Sequence, residues 1–235
     1  MEPTITFLID GEDVAAVSGQ TILEAADAAG IYIPRLCAFP GVPPQGGCRV
    51  CSVRVNGRIL AACVQIVTEG AVVENDTDEI RELRRGIIDL LFVEGNHFCM
   101  FCEKSGNCEL QALAYRFGIE APRYPYLNPQ RDIDLSHPDV YLDHNRCILC
   151  GRCVRVSQDL DGKNVFQFVG RGIRKSLQVN GDCLGATDLQ VTDKAVSSCP
   201  VGALMKKRVG YAVPVGRRTY DQQPIGSEIE QQKGK

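Results

Sequence analysis

Apolar and polar residues alternate over the first ten positions of the chain, and this period of two predicts a β-strand. Asp10-Gly11 is a turn signal, and a return strand over 14–17 completes a predicted hairpin. The pattern then becomes that of a helix, which a capping box over 21–24 begins and a glycine ends. Asn56-Gly57 marks a second hairpin. Two hairpins with a helix between them predict a β-grasp domain over residues 1–78.

The apolar period is helical in the next segment, over residues 79–120. Asp76 and Glu79 form the expected capping box of its first helix. The predicted buried stripe of this helix consists of Ile80, Leu83, Ile87, Leu90 and Leu91. A second helix is predicted over 108–117, with Gly118 as its stop. The segment is therefore expected to be mainly helical.

The rest of the chain is divided by its proline content and its polarity. Four of the twelve prolines lie between residues 121 and 140, and this density predicts a linker. The linker leads into a third predicted domain, so that 121–210 form one unit. Residues 211–235 become increasingly polar, and we expect a tail that orders mainly against a partner.

Composition and charge restrict the class of protein. The net charge of the 235 residues is −3, which argues against nucleic acid as the main partner. No stretch approaches the ~20 apolar residues of a membrane span, and no N-terminal signal peptide is visible. We therefore expect a cytoplasmic protein with no membrane partner. Thiols stay reduced in the cytoplasm, so clustered cysteines indicate metal or redox chemistry rather than a secreted disulfide scaffold.

Eleven of the twelve cysteines fall into three groups, each with the spacing of an iron–sulfur site. The first group consists of Cys37, Cys48, Cys51 and Cys63. The second consists of Cys99, Cys102 and Cys108, with His97 just ahead of them. The third consists of Cys147, Cys150, Cys153 and Cys199. Iron in such clusters prefers thiolate ligands, which must converge on a compact inorganic core. The cysteines therefore predict a carrier of single electrons.

The first group suits a two-iron cluster held by a long loop after the β-grasp helix. Gly46 and Gly47 precede Cys48, and glycines let backbone N–H groups approach the cluster sulfurs closely. Four thiolates also suit tetrahedral zinc, so a structural zinc site is the alternative. Zinc sites more often use two C-x2-C pairs, which favours the 2Fe-2S interpretation.

The second group has three cysteines, and a four-iron cluster needs a fourth ligand. His97 lies two residues before Cys99, and its proximity makes it the preferred candidate. Cys183 is the other candidate, although it lies in another segment and is more simply a small buried hydrophobic residue. We expect His137 and His144 to be surface or linker residues. By analogy with histidine-ligated two-iron centres, a His ligand should raise the reduction potential.

The third group resembles a bacterial ferredoxin run whose last cysteine is followed by proline, here Pro200. The chain has one such run, so Cys199 is most simply the fourth ligand of the same 4Fe-4S cluster. A purely structural metal site is the alternative. The chain has neither a G-x-G-x-x-G motif nor a P-loop, and no catalytic constellation rises above chance. We therefore expect no catalytic residue and no dinucleotide site on this chain.

The ordered set of sites resembles the N-terminal part of the large iron–sulfur subunit of respiratory complex I. Several runs are more specific: EGNH at 94–97, CEKSGNC at 102–108, LQA at 110–112, KRVGY at 207–211 and GRR at 216–218. They resemble the small diaphorase subunit of the soluble NAD-reducing nickel–iron hydrogenase. The resemblance implies an α+β chain with a β-grasp 2Fe-2S domain, a one-His/three-Cys 4Fe-4S segment and a ferredoxin-like 4Fe-4S domain.

The resemblance also implies partners. A large diaphorase subunit would hold FMN and the NAD site, and a small and a large hydrogenase subunit would hold the nickel–iron centre, in a heterotetramer. This chain would relay electrons from H2 toward NAD+ within that complex. The equivalent subunit of a formate dehydrogenase or a complex I-like enzyme is the main alternative, and a zinc-stabilised interaction module is a distant one.

Overall fold

The computed structural model describes residues 4–234. Its N-terminal part is a five-stranded sheet with the spatial order β2-β1-β5-β3-β4. The strands are β1 (Thr4–Ile9), β2 (Glu12–Val17), β3 (Ser52–Val55), β4 (Arg58–Ala61) and β5 (Val72–Glu74). Both predicted hairpins are present as antiparallel pairs, and β5 joins them by lying parallel to β1 and antiparallel to β3.

Helix α1 (Ile22–Ala28) covers one face of this sheet. The predicted capping box is present: the Thr21 hydroxyl accepts from the Glu24 N–H, and the Glu24 carboxylate accepts from the Thr21 N–H. The buried residues of α1 pack with Phe7 and Ile9 of β1 in one apolar core. The alternating pattern of β1 thus gives the sheet its buried face.

Helix α2 (Asp78–Val93) differs from its prediction in its cap and in its buried face. Its N-cap is Thr77 rather than Asp76, because the Thr77 hydroxyl accepts from the Ile80 N–H while Asp76 pairs with a downstream arginine. The buried residues are Ile80, Arg84, Ile88, Asp89 and Val93, whereas Leu90 is 46% exposed. The prediction holds for Ile80, which is buried, and for Ile87 and Leu91, which are half-buried against the core. It missed Arg84 and Asp89 because they are charged.

Arg84 explains why a charged residue belongs on that face. Its guanidinium donates to the backbone carbonyls of Asn75 and Ser52 at 2.9 and 2.8 Å, and to the Asn75 side chain at 2.8 Å. Burial lowers the pKa of Arg84 to about 10, which still leaves the side chain charged at neutral pH. Arg84 therefore joins α2 to the N-terminal sheet through polar contacts that hydrophobic periodicity does not reveal.

The remaining elements form the C-terminal half. Helix α3 (Glu109–Arg116) packs against α2, and the next two helices are α4 (Arg152–Asp159) and α5 (Lys194–Ser197). The strands are β6 (Ile133–Asp134), β7 (Val140–Asp143), β8 (Phe166–Val169), β9 (Ser176–Val179) and β10 (Leu204–Lys206). One sheet has the order β10-β7-β6, and β8 pairs with β9. The predicted linker over 121–140 therefore supplies one strand and the start of another to the sheet of the third domain.

The polar C-terminal segment packs on the chain itself, in contrast to the predicted tail. Ile225 is 6% exposed and lies in a core with residues of α2 and α3. Helix α6 (Ser227–Glu230) follows it, and Glu230 pairs with Arg116. The carbonyl of Ile225 also accepts from Arg116 at 2.8 Å. The apolar side chains of Ile225, Tyr220 and Ile229 and a cation on α3 thus hold a segment whose average polarity is high.

Across residues 4–234, none of the helices combines the length and apolar character needed to cross a membrane.

The substitution Ile225→Ala tests this packing. Removal of a buried isoleucine should cost about 2–5 kcal/mol of unfolding free energy and lower the melting temperature by several degrees. Val215→Ala, at a side chain that is 81% exposed, is the matched control and should shift the unfolding free energy by less than about 0.5 kcal/mol. Equal melting temperatures for both variants and the unchanged chain would mean that the segment is not packed as described.

Candidate iron–sulfur sites

The first cysteine group lies where the β-grasp sheet meets the loop after α1. Cys37, Cys51 and Cys63 are each 1% exposed. The Cys37 thiol is within hydrogen-bonding reach of Cys48 and Cys63, and the Cys51 thiol is within reach of Cys63. The fold therefore brings together all four cysteines that the spacing predicted, although 26 residues separate the first from the last.

Backbone groups of the same loop approach these thiols. The N–H groups of Gly47 and Cys48 face the Cys37 sulfur. The pKa of Cys37 is lowered because the Cys48 and Cys63 thiols donate to its thiolate, and that of Cys63 is raised because it donates to Cys37 and Cys51. Ionisation of the Cys37 thiol is thus favoured, and ionisation of the Cys63 thiol is opposed. A bound metal cation removes that opposition, because thiols ionise when they coordinate.

The second group lines a cavity between α2, α3 and the loop that joins them. His97, Cys99, Cys102 and Cys108 all face this cavity. Cys99 lies in a short 3₁₀ helix, and Cys108 is the residue before α3. Gly202 closes the opposite wall, where a Cβ atom would lie 2.8 Å from the Cys102 sulfur. The three cysteines and the histidine that the spacing predicted therefore face one common cavity.

His97 has a ring nitrogen free to serve as a ligand. Its Nε2 atom is buried and has no hydrogen-bond partner in the described residues. Burial lowers the pKa of His97 to about 4, so the imidazole is neutral at pH 7. A neutral imidazole nitrogen is the form that binds metals. A buried polar atom without a partner is costly, and coordination of iron would remove that cost. His97 therefore fits the missing fourth position.

The third group lines a cavity bordered by α4, β7, β8, β9 and β10. Cys147, Cys150, Cys153 and Cys199 all face it. Burial raises the pKa of Cys147 to about 11 and that of Cys150 to about 12. These thiols are protonated without a metal and release their protons when they coordinate one. The remaining lining is mainly apolar, which keeps water from the site.

The remaining cysteine and histidines lie elsewhere. Cys183 is partly exposed and lines neither of the two cavities. His137 is buried, contrary to its predicted surface or linker position. Its Nδ1 accepts from the Asp139 and Val140 N–H groups, and its Nε2 contacts the Leu189 carbonyl, so His137 has a structural role. Within residues 4–234, no three His, Cys, Asp or Glu side chains are arranged to hold a single metal ion.

Two arginines that the sequence analysis did not single out link the three sites. Arg155 donates to the carbonyls of Cys37, at 2.6 Å, and Cys150, at 3.4 Å. Arg146 directly precedes Cys147 and donates to the Cys102 sulfur at 3.7 Å. The third site therefore lies between the first and the second, an order that differs from their order in the sequence. No local motif signals these contacts, since up to 118 residues separate the partners.

Three family models match consecutive parts of the chain. A 2Fe-2S iron-sulfur cluster binding domain matches residues 2–78. The NADH-ubiquinone oxidoreductase-G iron-sulfur binding region matches 84–123. The ferredoxin-like domain of NADH-quinone oxidoreductase subunit 3 matches 137–205. Together with the cavities, these matches define the class: an iron–sulfur protein that relays electrons. The predicted α+β fold is confirmed.

Individual relatives narrow the class. The gamma subunit of NAD-reducing hydrogenase HoxS from Cupriavidus necator is 39% identical over 94% of this chain and 95% of that protein. A crystal structure of an NAD+-reducing [NiFe]-hydrogenase in the H2-reduced state contains a chain that matches with a TM-score of 0.93, at 46% identity, over 97% of this chain and 98% of that one. The chain belongs to the family of the gamma subunit of NAD-reducing hydrogenase, which confirms the resemblance.

Other relatives match over a smaller share of their length. The alpha subunit of the NADPH-Fe(3+) oxidoreductase of Geobacter sulfurreducens is 34% identical over 86% of this chain but 24% of its own length. The mitochondrial 78 kDa subunit of NADH-ubiquinone oxidoreductase from Candida albicans is 32% identical over 85% of this chain and 28% of its own. This chain thus spans about a quarter of those proteins. The family matches do not favour the zinc-module alternative.

The variant Cys183→Ala tests which residue completes the second site. It should leave the iron content unchanged, because Cys183 lies outside the two cavities. Cys108→Ala is the matched variant inside a cavity and should remove roughly four irons per chain. The measurement is iron per chain after anaerobic purification. A loss of about four irons from Cys183→Ala would transfer the fourth ligand position from His97 to Cys183.

The variant His97→Cys tests the same position by its electronic effect. It should keep a four-iron cluster and lower its reduction potential, because a charged thiolate replaces a neutral imidazole. The midpoint potential is measured by EPR during an anaerobic redox titration. His144→Asn, a substitution outside the cavity, serves as the control. An intact cluster with an unchanged potential would count against ligation by His97.

Proposed function

We propose that this chain relays electrons between a nickel–iron hydrogenase module and an FMN/NAD diaphorase module, in the reaction that couples H2 to NAD+. The match to the gamma subunit of NAD-reducing hydrogenase over nearly the whole of both chains carries this proposal. Relatives with other electron donors or acceptors match about a quarter of their own length. The hydrogenase assignment therefore has the strongest support.

The proposed cofactors are one 2Fe-2S cluster and two 4Fe-4S clusters. Their ligands are the four cysteines of the first group, then His97 with the three cysteines of the second, then the four cysteines of the third. Such clusters take up and release one electron at a time. The division of the chain into 1–78, 79–120, 121–210 and 211–235 belongs to the same proposal, and the spans of the three family matches support it.

The residues of this chain have three tasks in the relay. The thiols and the His97 nitrogen hold the iron, and the apolar cavity walls keep water away from it. Arg146 and Arg155 place positive charge beside the proposed ligands. The contacts of these two arginines support a relay in the spatial order first, third, second site. Electron entry at one end of this order and exit at the other requires partners at both ends.

The partners follow from the same family. A large diaphorase subunit supplies FMN and the NAD site, and a small and a large hydrogenase subunit supply the nickel–iron centre. With this chain they form a heterotetramer, which we place in the cytoplasm. No catalytic residue is assigned to this chain, because its proposed chemistry is electron transfer between those subunits.

The metal content of the native complex, isolated anaerobically through this chain, tests the proposal. About one nickel per complex beside many irons is expected, together with NAD+ reduction that depends on H2. Abundant iron without nickel would contradict the hydrogenase module and assign the chain to a formate- or quinone-linked partner. A colourless preparation that contains zinc would contradict the electron-relay function itself.

A further inference from the structure

Arg155 occupies a position between two proposed clusters. It lies in α4 directly after Cys153 and Val154, and its side chain reaches back to the loop of the first site. Its Nη2 atom donates to the Cys37 carbonyl at 2.6 Å and to the Cys150 carbonyl at 3.4 Å. One nitrogen atom thus contacts the main chain of a proposed ligand in each of two sites.

The charge of Arg155 is unusually placed. Its three hydrogen-bond partners are main-chain carbonyls, the third being that of Pro43 at 2.6 Å from Nη1. Arg152, one turn earlier on α4, instead forms a bidentate ion pair with the Glu109 carboxylate, at N–O distances of 2.6 and 2.7 Å. Arg155 makes no such pair within the part of the chain that the structure describes, and its Nε atom is buried without a partner. Its positive charge is therefore not neutralised locally by a carboxylate.

The surroundings of Arg155 belong to both domains. Phe39 and Val42 of the first-site loop pack in the core of the third domain. Gly151 of the third site lies so close to the Gln45 side chain that a Cβ atom there would be 2.6 Å from its Oε1. The two sites thus meet at a packed junction, and Arg155 is the cation that bridges their ligand loops.

We propose that Arg155 is a positioning residue that couples the first and third iron–sulfur sites, by fixing the spacing of their ligand loops and raising the reduction potential of both. This inference rests on the proposed function, because it takes Cys37 and Cys150 as cluster ligands. The planar guanidinium suits the role, since it keeps its charge at all physiological pH values and donates in several fixed directions.

The physical reason is electrostatic. Reduction adds one negative charge to a cluster, and a nearby cation stabilises that charge, most strongly away from water. Because the same cation lies beside both ligand loops, its removal should make reduction of both centres less favourable. Passage of one electron from the third site to the first requires no bond change and no proton at Arg155, which keeps its hydrogen bonds throughout.

An EPR-monitored redox titration of the native complex tests the proposal with Arg155→Gln, which removes the charge. We expect the one-electron reduction constants of the first and third centres each to fall about tenfold, equivalent to ~59 mV. The potential of the second centre should stay as in the unchanged complex. Arg155→Lys retains a charge and should restore most of both shifts. Arg174→Gln, at an exposed arginine of the same domain, should alter none of the three potentials.

The outcomes separate the possibilities. A shift confined to one centre, or no shift with full iron content, overturns the coupling role. If Arg155→Gln loses iron, loss from both the first and third sites with recovery in Arg155→Lys supports joint positioning, whereas loss from one site overturns it. The unchanged complex tests the proposed function separately: absence of its two-iron signal or of the third-site signal would contradict the ligand assignment itself, before any variant is compared.

Discussion

Three groups of cysteine side chains, which we propose as iron ligands, must each converge in the folded chain, and the rest of the structure depends on this constraint. The cysteines of the first and third groups come from separate segments, as Cys37 and Cys63 do on either side of the second hairpin. Burial of thiols without metal is unfavourable to their charged form, and the raised pKa values of Cys147 and Cys150 reflect this. Metal binding by these thiols would be coupled to folding, because ligands that converge only in the folded chain contribute their binding energy to folding.

Three arginines, of which Arg84 and Arg152 are buried and Arg155 is half-buried, place positive charge among these elements. Arg84 joins α2 to the β-grasp sheet through neutral oxygens, Arg152 is neutralised by Glu109, and Arg155 is left charged between two ligand loops. The three arginines differ in the chemical groups that their guanidinium groups contact. An unneutralised cation near a cluster favours its reduced state, whereas a paired one mainly fastens two elements together. The partner of each arginine thus separates a redox role from a structural one.

Local signals in the sequence predicted the local features well. The turn at Asp10-Gly11 and the capping box at Thr21 are short-range patterns, and the structure contains both. The contact among the four cysteines of the first group also agreed with their spacing. The buried face of α2 was predicted only in part, because Arg84 and Asp89 also lie on it and periodicity counts charged residues as exposed. Long-range contacts such as Arg155 with Cys37 carry no local signal at all.

The C-terminal segment illustrates the same limit. Its polarity predicted a tail ordered mainly by a partner, yet the packing of Tyr220, Ile225 and Ile229 and the pairing of Arg116 with Glu230 hold it on the chain. The mean composition of a segment does not reveal which of its side chains are buried. The proposed sites therefore have to be tested by the geometry of the candidate ligands and by measurement of the bound iron.

Mössbauer spectroscopy of the chain, purified anaerobically after isotopic enrichment of its iron, would show whether the three groups bind iron–sulfur clusters. Iron and acid-labile sulfide are counted on the same sample. We expect about ten irons per chain, resolved into one two-iron and two four-iron centres. Mononuclear iron alone, or zinc in place of iron, would contradict it.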